Sequence, residues 1–215
     1  MQTNEQSVTE TLVAALTVAW RGIRDRHADV PDVVLTMGSG ALGQQRGAMK
    51  LGHFAAGRWE QGETELAELF VGGEGLRRGA VGVLGTLLHE AAHGVAHTWG
   101  IKDTSRGGRY HNARFRVVSE ELGLTLAMDG TRGWSATQLA ADTADVYAAE
   151  VAALADAITA YRRTEAPAIG GGGTTKSRNL IAAACGCARK IRVARTTLDE
   201  APIVCGACGQ PFEPA

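Results

Sequence analysis

The fold is decided by the stretch GAVGVLGTLLHEAAHGVAHTW, residues 79–99, which combines a nearly unbroken apolar surface with the motif H-E-x-x-H. Such an apolar periodic run predicts a buried helix that begins at Arg77 or Gly79 and ends near Trp99. Internal glycines lower its intrinsic helix propensity by up to about 1 kcal/mol each. We therefore expect close packing against a sheet to stabilise this helix.

The H-E-x-x-H motif is formed by His89, Glu90 and His93. Two histidines four positions apart project from one face of a helix, so both imidazoles can bind one Zn²⁺ while the glutamate acts on a water molecule. This geometry is typical of metal-dependent hydrolases. A motif this short also occurs by chance, in which case the histidines are ordinary parts of a buried helix. The surrounding sequence has to distinguish these alternatives.

A catalytic zinc site needs three protein ligands and one open position, so a third ligand must come from elsewhere in the chain. His97 lies about 12 Å along the helix axis from His89 and about 80° around it, so the two cannot share a metal ion. We expect His111 to be the third ligand, because the glycine-containing loop before it lets the chain reverse. His27 and His53 are interpreted as ordinary histidines.

The remaining patterns predict an α+β domain. Ser7 and Glu10 form a capping box at the start of a first helix. Extended segments suit a small antiparallel sheet, and two further helices follow the motif. The predicted strands are 32–37, 51–59 and 65–71, and the further helices are 112–122 and 135–163.

Residues 38–43 match the dinucleotide fingerprint G-x-G-x-x-G and follow a predicted strand. The fingerprint must also open a helix, but no apolar stripe follows these residues. A hairpin loop is the favoured interpretation, and a phosphate site is the alternative.

All four cysteines lie near the end of the chain, in the pairs C-x-C and C-x-x-C. Four thiolates fit one tetrahedral Zn²⁺, and the 36 residues 180–215 are too few for a self-sufficient hydrophobic core. We predict a structural zinc ribbon, with disulfides or a redox pair as the alternative. A glycine-rich linker over 165–179 separates it from the domain formed by residues 1–164. The expected ligands are Cys185, Cys187, Cys205 and Cys208.

The overall charge points to no particular class of partner. The formal net charge is −1 and the pI about 6.6, so nucleic acid or membrane binding would need a local patch. Residues 165–215 carry six basic and four acidic residues, a cluster that suits DNA phosphates or a solvated surface. The first ten residues contain no Lys or Arg, and the apolar run after them is too short to span a bilayer. We therefore expect a cytoplasmic protein with no membrane partner.

In their order and combination, these motifs resemble the SprT-like, or Spartan-type, zinc metallopeptidases. The resemblance rests on Leu87-Leu88-His89-Glu90-Ala91-Ala92-His93, on His111-Asn112-Ala113-Arg114-Phe115 and on the cysteine pairs. Asn112 stands where the family has glycine. The resemblance implies a zincin-like metallopeptidase domain, with one catalytic Zn²⁺ held by the three histidines, Glu90 as general base, and one structural Zn²⁺ in the ribbon.

The resemblance further implies a protease acting on DNA-associated or DNA-crosslinked proteins, as in DNA–protein crosslink repair, with the basic ribbon contacting DNA. Two other functions fit the same residues. One is a catalytically inactive zinc-binding protein that binds nucleic acid or serves as an adaptor. The other is a zinc hydrolase acting on something other than peptides.

Overall fold

The structure is a computed structural model that describes residues 7–41, 49–164 and 180–214. The chain divides into two compact units, Met1–Glu165 and Ala166–Ala215. Helices and three small sheets make this an α+β protein. The predicted linker 165–179 lies outside the described residues. Within the described ranges, no helix is both long and apolar enough to cross a membrane.

The first helix, α1 (Val8–Arg26), begins with the predicted capping box. The Glu10 N–H donates to Ser7 Oγ at 3.2 Å, and the Ser7 N–H donates to Glu10 Oε2 at 2.8 Å. Two backbone donors at the helix start are thereby satisfied. One face of α1, including Leu16 and Ile23, is buried in the core of the first unit.

The motif helix, α2 (Gly79–Thr98), follows a 3₁₀ turn over Gly73–Arg78 and runs through the centre of the first unit. Its three leucines, with Ala91 and Ala92, have no exposed surface, as the apolar pattern predicts. A side chain at Gly94 would lie 2.8 Å from Pro31 Cδ, so this glycine permits close approach of the preceding segment. Packing therefore compensates for the low helix propensity of the glycines.

The first sheet contains β1 (Val33–Gly38), β2 (Gly52–Gln61) and β3 (Thr64–Gly72), in the order β1-β3-β2. All three predicted strands are confirmed, but the prediction of an all-antiparallel sheet is wrong because β1 runs parallel to β3. The chain reverses in a tight turn at Gly62, with φ 63°, so that β3 pairs with β2. Strand β1 therefore pairs with the other edge of β3.

The glycine-rich segment after β1 is not a hairpin, because β1 and β2 are not neighbours. The Gly40 N–H donates to Oε2 of the buried Glu74 at 2.8 Å, and the Ser39 hydroxyl donates to Oε1 at 3.2 Å. The Glu74 carboxylate thus accepts the hydrogen bonds that a bound phosphate would need. Residues 42 and 43 of the predicted loop lie outside the described residues.

The second sheet contains β4 (Thr104–Ser105), β5 (Tyr110–His111), β6 (Leu124–Asp129) and β7 (Gly133–Leu139), in the order β4-β5-β7-β6. Helix α3 (Ala113–Glu121) confirms the helix predicted over 112–122. The prediction of one helix over 135–163 is wrong: its first residues pair with β6 in an antiparallel hairpin. Shorter helices follow, α4 (Thr143–Val146) and α5 (Ala148–Ala157).

The second unit contains β8 (Leu180–Ala184), β9 (Lys190–Ala194), the helix α6 (Arg195–Glu200) and β10 (Glu213–Pro214). The strand order is β10-β8-β9, with antiparallel pairing throughout. Only Ala183, Cys185 and Cys205 are buried within its described residues 180–214. Hydrophobic burial alone gives this unit very little stabilisation.

Candidate functional site

Three histidines converge at the centre of the first unit. His89 and His93 project from α2, and His111 ends the short strand β5. One ring nitrogen of each lies within 4.8 Å of the others, and His93 Nε2 is 3.2 Å from His111 Nε2. Tetrahedral coordination with zinc–nitrogen bonds of about 2.0–2.1 Å places ligand nitrogens about 3.3 Å apart. The three side chains thus fit one metal ion.

The outward ring nitrogens of two of these histidines are hydrogen bonded. His89 Nδ1 lies 3.2 Å from Thr137 Oγ1 on β7, and His93 Nδ1 lies 2.5 Å from Asp103 Oδ2. Metal-binding histidines commonly use their second nitrogen in this way, which fixes the orientation of the ring. Nδ1 of His111 is buried and makes no hydrogen bond of normal geometry to any described residue.

The position of His111 is set by its neighbours on both sides. Its backbone N–H donates to the Arg132 carbonyl at 2.9 Å. Gly133, with φ 71°, lies directly against the His111 carbonyl, where a side chain would collide. The buried ring of Phe115 packs against all three imidazoles, with ring centroids 4.8, 4.6 and 4.4 Å from His89, His93 and His111. Packing around His111 and Phe115 therefore positions the three candidate ligands.

Asn112, which stands where the SprT-like pattern has glycine, caps helix α3. Its backbone is extended, with φ −88°, and its side-chain oxygen accepts the Arg114 and Phe115 N–H groups at 2.8 and 3.3 Å. A glycine there could not cap the helix with a side chain. The substitution is thus compatible with His111 at the site.

Burial favours the neutral form of the His89 and His111 rings. Desolvation, together with neighbouring His93, lowers the pKa of His89 well below its ordinary value and that of His111 to about 4. A neutral imidazole offers a nitrogen lone pair at physiological pH without first losing a proton.

Glu90 lies beside the histidines with its side chain buried, only 6% exposed. Its Oε2 accepts the backbone N–H of Phe54 on β2 at 2.9 Å. Burial raises the pKa of Glu90 above the ordinary glutamate value. A side chain at Gly52 would come within 2.7 Å of Glu90 Oε1, so the start of β2 packs directly against this carboxylate.

Two cavities adjoin the three histidines. One of about 320 Å³ is lined by His89, Glu90 and His111, and another of about 330 Å³ by His93 and Asp103. The candidate ligands thus lie at the wall of accessible space.

The four cysteines form a second cluster, in the second unit. Their sulfur atoms lie within 4.8 Å of one another, with Cys185 Sγ 3.3 Å and Cys205 Sγ 3.8 Å from Cys187 Sγ. N–H groups of Ala207 and Cys208 lower the pKa of the Cys205 thiol to about 6, which favours the thiolate that binds metal. The cluster fits a metal ion held by four sulfurs.

The two cysteine pairs lie on similar turns. The residue after the second cysteine has left-handed backbone angles in each, with φ 62° at Ala188 and 69° at Gly209. Glycine adopts that conformation freely, whereas alanine is strained there. The tighter C-x-C turn therefore carries a backbone cost that the C-x-x-C turn avoids.

The histidines not expected to bind metal lie outside the three-histidine group. His97 packs against Phe54 with ring centroids 6.1 Å apart, and His27 Nε2 lies 3.1 Å from the Tyr147 hydroxyl. His53 is half-buried on β2. None of them belongs to a metal-ligand group among the described residues.

Sequence reasoning missed four supporting residues: Gly52, Phe54, Asp103 and Thr137. Asp103 lies in the loop before His111, where an aspartate carries no distinctive signal. Thr137 falls in a segment that the sequence assigned to a helix. The Phe54 contact is made by the backbone, which no side-chain motif reveals.

In comparisons with known proteins, no family model, no curated protein and no solved structure matches this chain.

Proposed function

We propose that this chain is a zinc-dependent metallopeptidase with a zincin-like domain, similar to the SprT-like family. One observation carries the proposal: three histidine nitrogens converge beside the buried carboxylate of Glu90, and two of these histidines, His89 and His111, line the same cavity as Glu90. Structural sites usually have four protein ligands, whereas catalytic sites have three and keep one position open.

His89, His93 and His111 would hold the catalytic ion. Neutral imidazoles suit zinc among the common biological metals, although they also bind other transition metals. When bound, the ion supplies a Lewis acid that polarises the scissile carbonyl and acidifies water. Asp103 and Thr137 keep the ligand rings in place through their outward nitrogens.

Glu90 is proposed as the general base. The Phe54 N–H holds Oε2, which leaves Oε1 to take a proton from the attacking water and then deliver it to the leaving amine. A raised pKa brings the carboxylate closer to working pH, so it both accepts and returns a proton more readily.

A peptide substrate is favoured by the edge position of β2. Among the described strands, β2 pairs only with β3, so no strand covers its other edge, where Glu90 accepts the Phe54 N–H. An extended peptide can add to such an edge through backbone hydrogen bonds. Hydrolysis of another kind of substrate would make no use of this edge.

For the second unit we propose a structural zinc ribbon that recruits DNA. Four thiolates are a common structural zinc site, and basic side chains along β8 to α6 are exposed and suit phosphate contacts. DNA-associated or DNA-crosslinked proteins are the substrates this arrangement would deliver. The exposed basic residues are Arg189, Lys190, Arg192 and Arg195.

The test combines metal analysis with proteolysis. We expect two zinc ions per chain in the parent and in Glu90→Gln, but cleavage of unfolded casein by the parent alone, stimulated by single-stranded DNA. Two zinc ions with no cleavage of any protein, with or without DNA, would instead support an inactive adaptor. Equal cleavage with and without DNA would remove the DNA-recruitment part only.

A further inference from the structure

The charged side chains that line the cavity next to Glu90 are mainly positive. Its lining includes four cationic side chains, whereas Glu90 itself is the only carboxylate among its lining residues. The cavity of about 330 Å³ beside His93 has no Lys or Arg in its lining. The two sides of the candidate metal centre therefore differ in charge. The four cations are Lys50, Arg78, Arg109 and Arg132.

Arg78 is directed along the start of α2 by its contacts. Its Nη1 donates to Thr86 Oγ1 at 3.1 Å, and Thr86 also lines the cavity. A side chain at Gly82 would lie 2.5 Å from Arg78 Cβ. Because Gly82 has no side chain, Arg78 has room to lie across the helix.

Arg109 and Arg132 are positioned by the same strands that hold His111. Arg109 lies two residues before His111, and the Arg132 carbonyl accepts the His111 N–H at 2.9 Å. Asp129 Oδ1 accepts the Thr131 and Arg132 N–H groups at 2.7 Å each, which fixes the turn. The positions of both arginines therefore depend on the backbone around His111, a candidate metal ligand.

Carboxylates interact with two of these cations without forming a salt bridge within the described residues: Asp129 with Arg132, and Glu90 with Lys50. Within the described residues, none of Arg78, Arg109 and Arg132 forms a salt bridge, and all three are exposed. An excess of cations over carboxylates around a cavity raises the local concentration of anionic ligands.

Resting on the proposed peptidase function, we propose that this cavity is a specificity site for an acidic side chain, Asp or Glu, on one side of the scissile bond. Arginine forks pair well with carboxylates. A nucleic acid fits less well, because no aromatic residue among the lining residues offers a surface for base stacking.

The test uses pairs of synthetic peptides that differ only by Glu or Gln at one position, placed on either side of the cleavage site found in unfolded casein. For one position we expect kcat/KM to favour Glu over Gln about tenfold, since each exposed ion pair contributes about two- to fivefold. The ratio should fall at high ionic strength. Equal kcat/KM for both peptides at every position would overturn the proposal.

Variants assign the effect to the arginines. We expect Arg109→Gln combined with Arg132→Gln to bring the Glu/Gln ratio close to one, and Arg78→Gln to lower it by about two- to fivefold. Arg21→Gln, on an exposed position of α1 that does not line the cavity, should keep the parent ratio. A ratio that all these variants leave unchanged would also overturn the proposal.

A binding measurement separates this proposal from the proposed function. Fluorescence anisotropy with labelled Glu and Gln peptides on Glu90→Gln protein needs no catalysis. Tighter binding of the Glu peptide, lost with the two arginines, supports the specificity site even if the parent cleaves nothing. Equal binding of both peptides, with single-stranded DNA bound through the same arginines, would assign the cavity to phosphate and overturn the proposal.

Discussion

The three-histidine centre and the four-cysteine centre are built in opposite ways. The histidines project from and pack against a helix whose leucines have no exposed surface, so the core of the first unit positions them. Two of the three buried residues among 180–214 are themselves cysteines, so the second unit has almost no core apart from its candidate ligands. In the first unit the packed core positions the site, whereas in the second unit we expect metal binding at the site to stabilise the fold.

Metal removal should produce the largest difference between the two units. Structural zinc contributes about 10 kcal/mol or more to small zinc domains, so we expect a strong chelator to unfold residues 180–214 and to leave α2 folded. Hydrogen exchange resolved by region measures both. Cys205→Ser should reproduce the loss with metal present, and full amide protection of β8 and β9 after chelation would show that the comparison is wrong.

Glu90→Gln tests whether Glu90 is the general base at the histidine centre. A general base accelerates the reaction by about 10²- to 10⁴-fold, so we expect kcat to fall by that factor while zinc content stays the same. Assays on unfolded casein and elemental analysis measure the two effects. Residual activity near that of the parent would exclude Glu90 as the base.

The same variant tests the energetic cost of the buried carboxylate. Because burial raises the pKa of Glu90 in the folded protein, the unfolded state ionises first as pH rises, and the folded state loses stability above the unfolded pKa. Glu90→Gln should therefore stabilise the chelated first unit at neutral pH. The gain should vanish in acid, below the ordinary glutamate pKa. Urea unfolding across pH measures it, and a constant gain at every pH would contradict the explanation.

Asp103→Ala removes the hydrogen-bond partner of His93 without touching a ligand. Losing such a partner costs about 10- to 100-fold in metal affinity, and we expect that loss at the histidine centre only. Competition with a chromophoric chelator resolves the two sites. Asp142→Ala, at an exposed position, is the matched control. Unchanged affinity in Asp103→Ala would mean that packing alone orients His93.

Gly52→Ala tests whether the first unit tolerates change next to Glu90. The new methyl group would lie within 2.8 Å of both Glu90 Oε1 and Thr86 Cγ2, and overpacking of this kind costs about 1–3 kcal/mol. Thermal unfolding of the first unit measures the loss. Gly130→Ala, where no atom lies within 4 Å, should have little effect. Equal stabilities of the two variants would show that the strand can move away.

Ala188→Gly and Gly209→Ala should give the smallest effects, in opposite directions. Both positions have left-handed backbone angles, which cost a non-glycine residue about 1 kcal/mol. We expect the first variant to stabilise the metal-bound second unit and the second to destabilise it by that amount. Chelator titration followed by hydrogen exchange measures both, and changes of the same sign would contradict this account.

Local patterns predicted some elements well. The capping box at Ser7, the apolar run of α2 and the helix after His111 depend on residues close in sequence, and they appear where expected. The strand β7 was missed because its residues resemble a helix start until β6 pairs with them. The parallel pairing of β1 was missed because strand order depends on which edge of β3 stays open, and no local pattern records that.

The sequence by itself determined which residues are available as ligands, since the side-chain chemistry of His89, His93, His111 and the four cysteines is fixed by their identity, and helical spacing places the first two on one face. Only the tertiary structure decided how His111 meets them and what surrounds the group. Asp103, the Phe54 N–H and the cavity arginines come together through strand pairing and packing. These contacts join residues far apart in the chain, so their free energies have no local signature in the sequence.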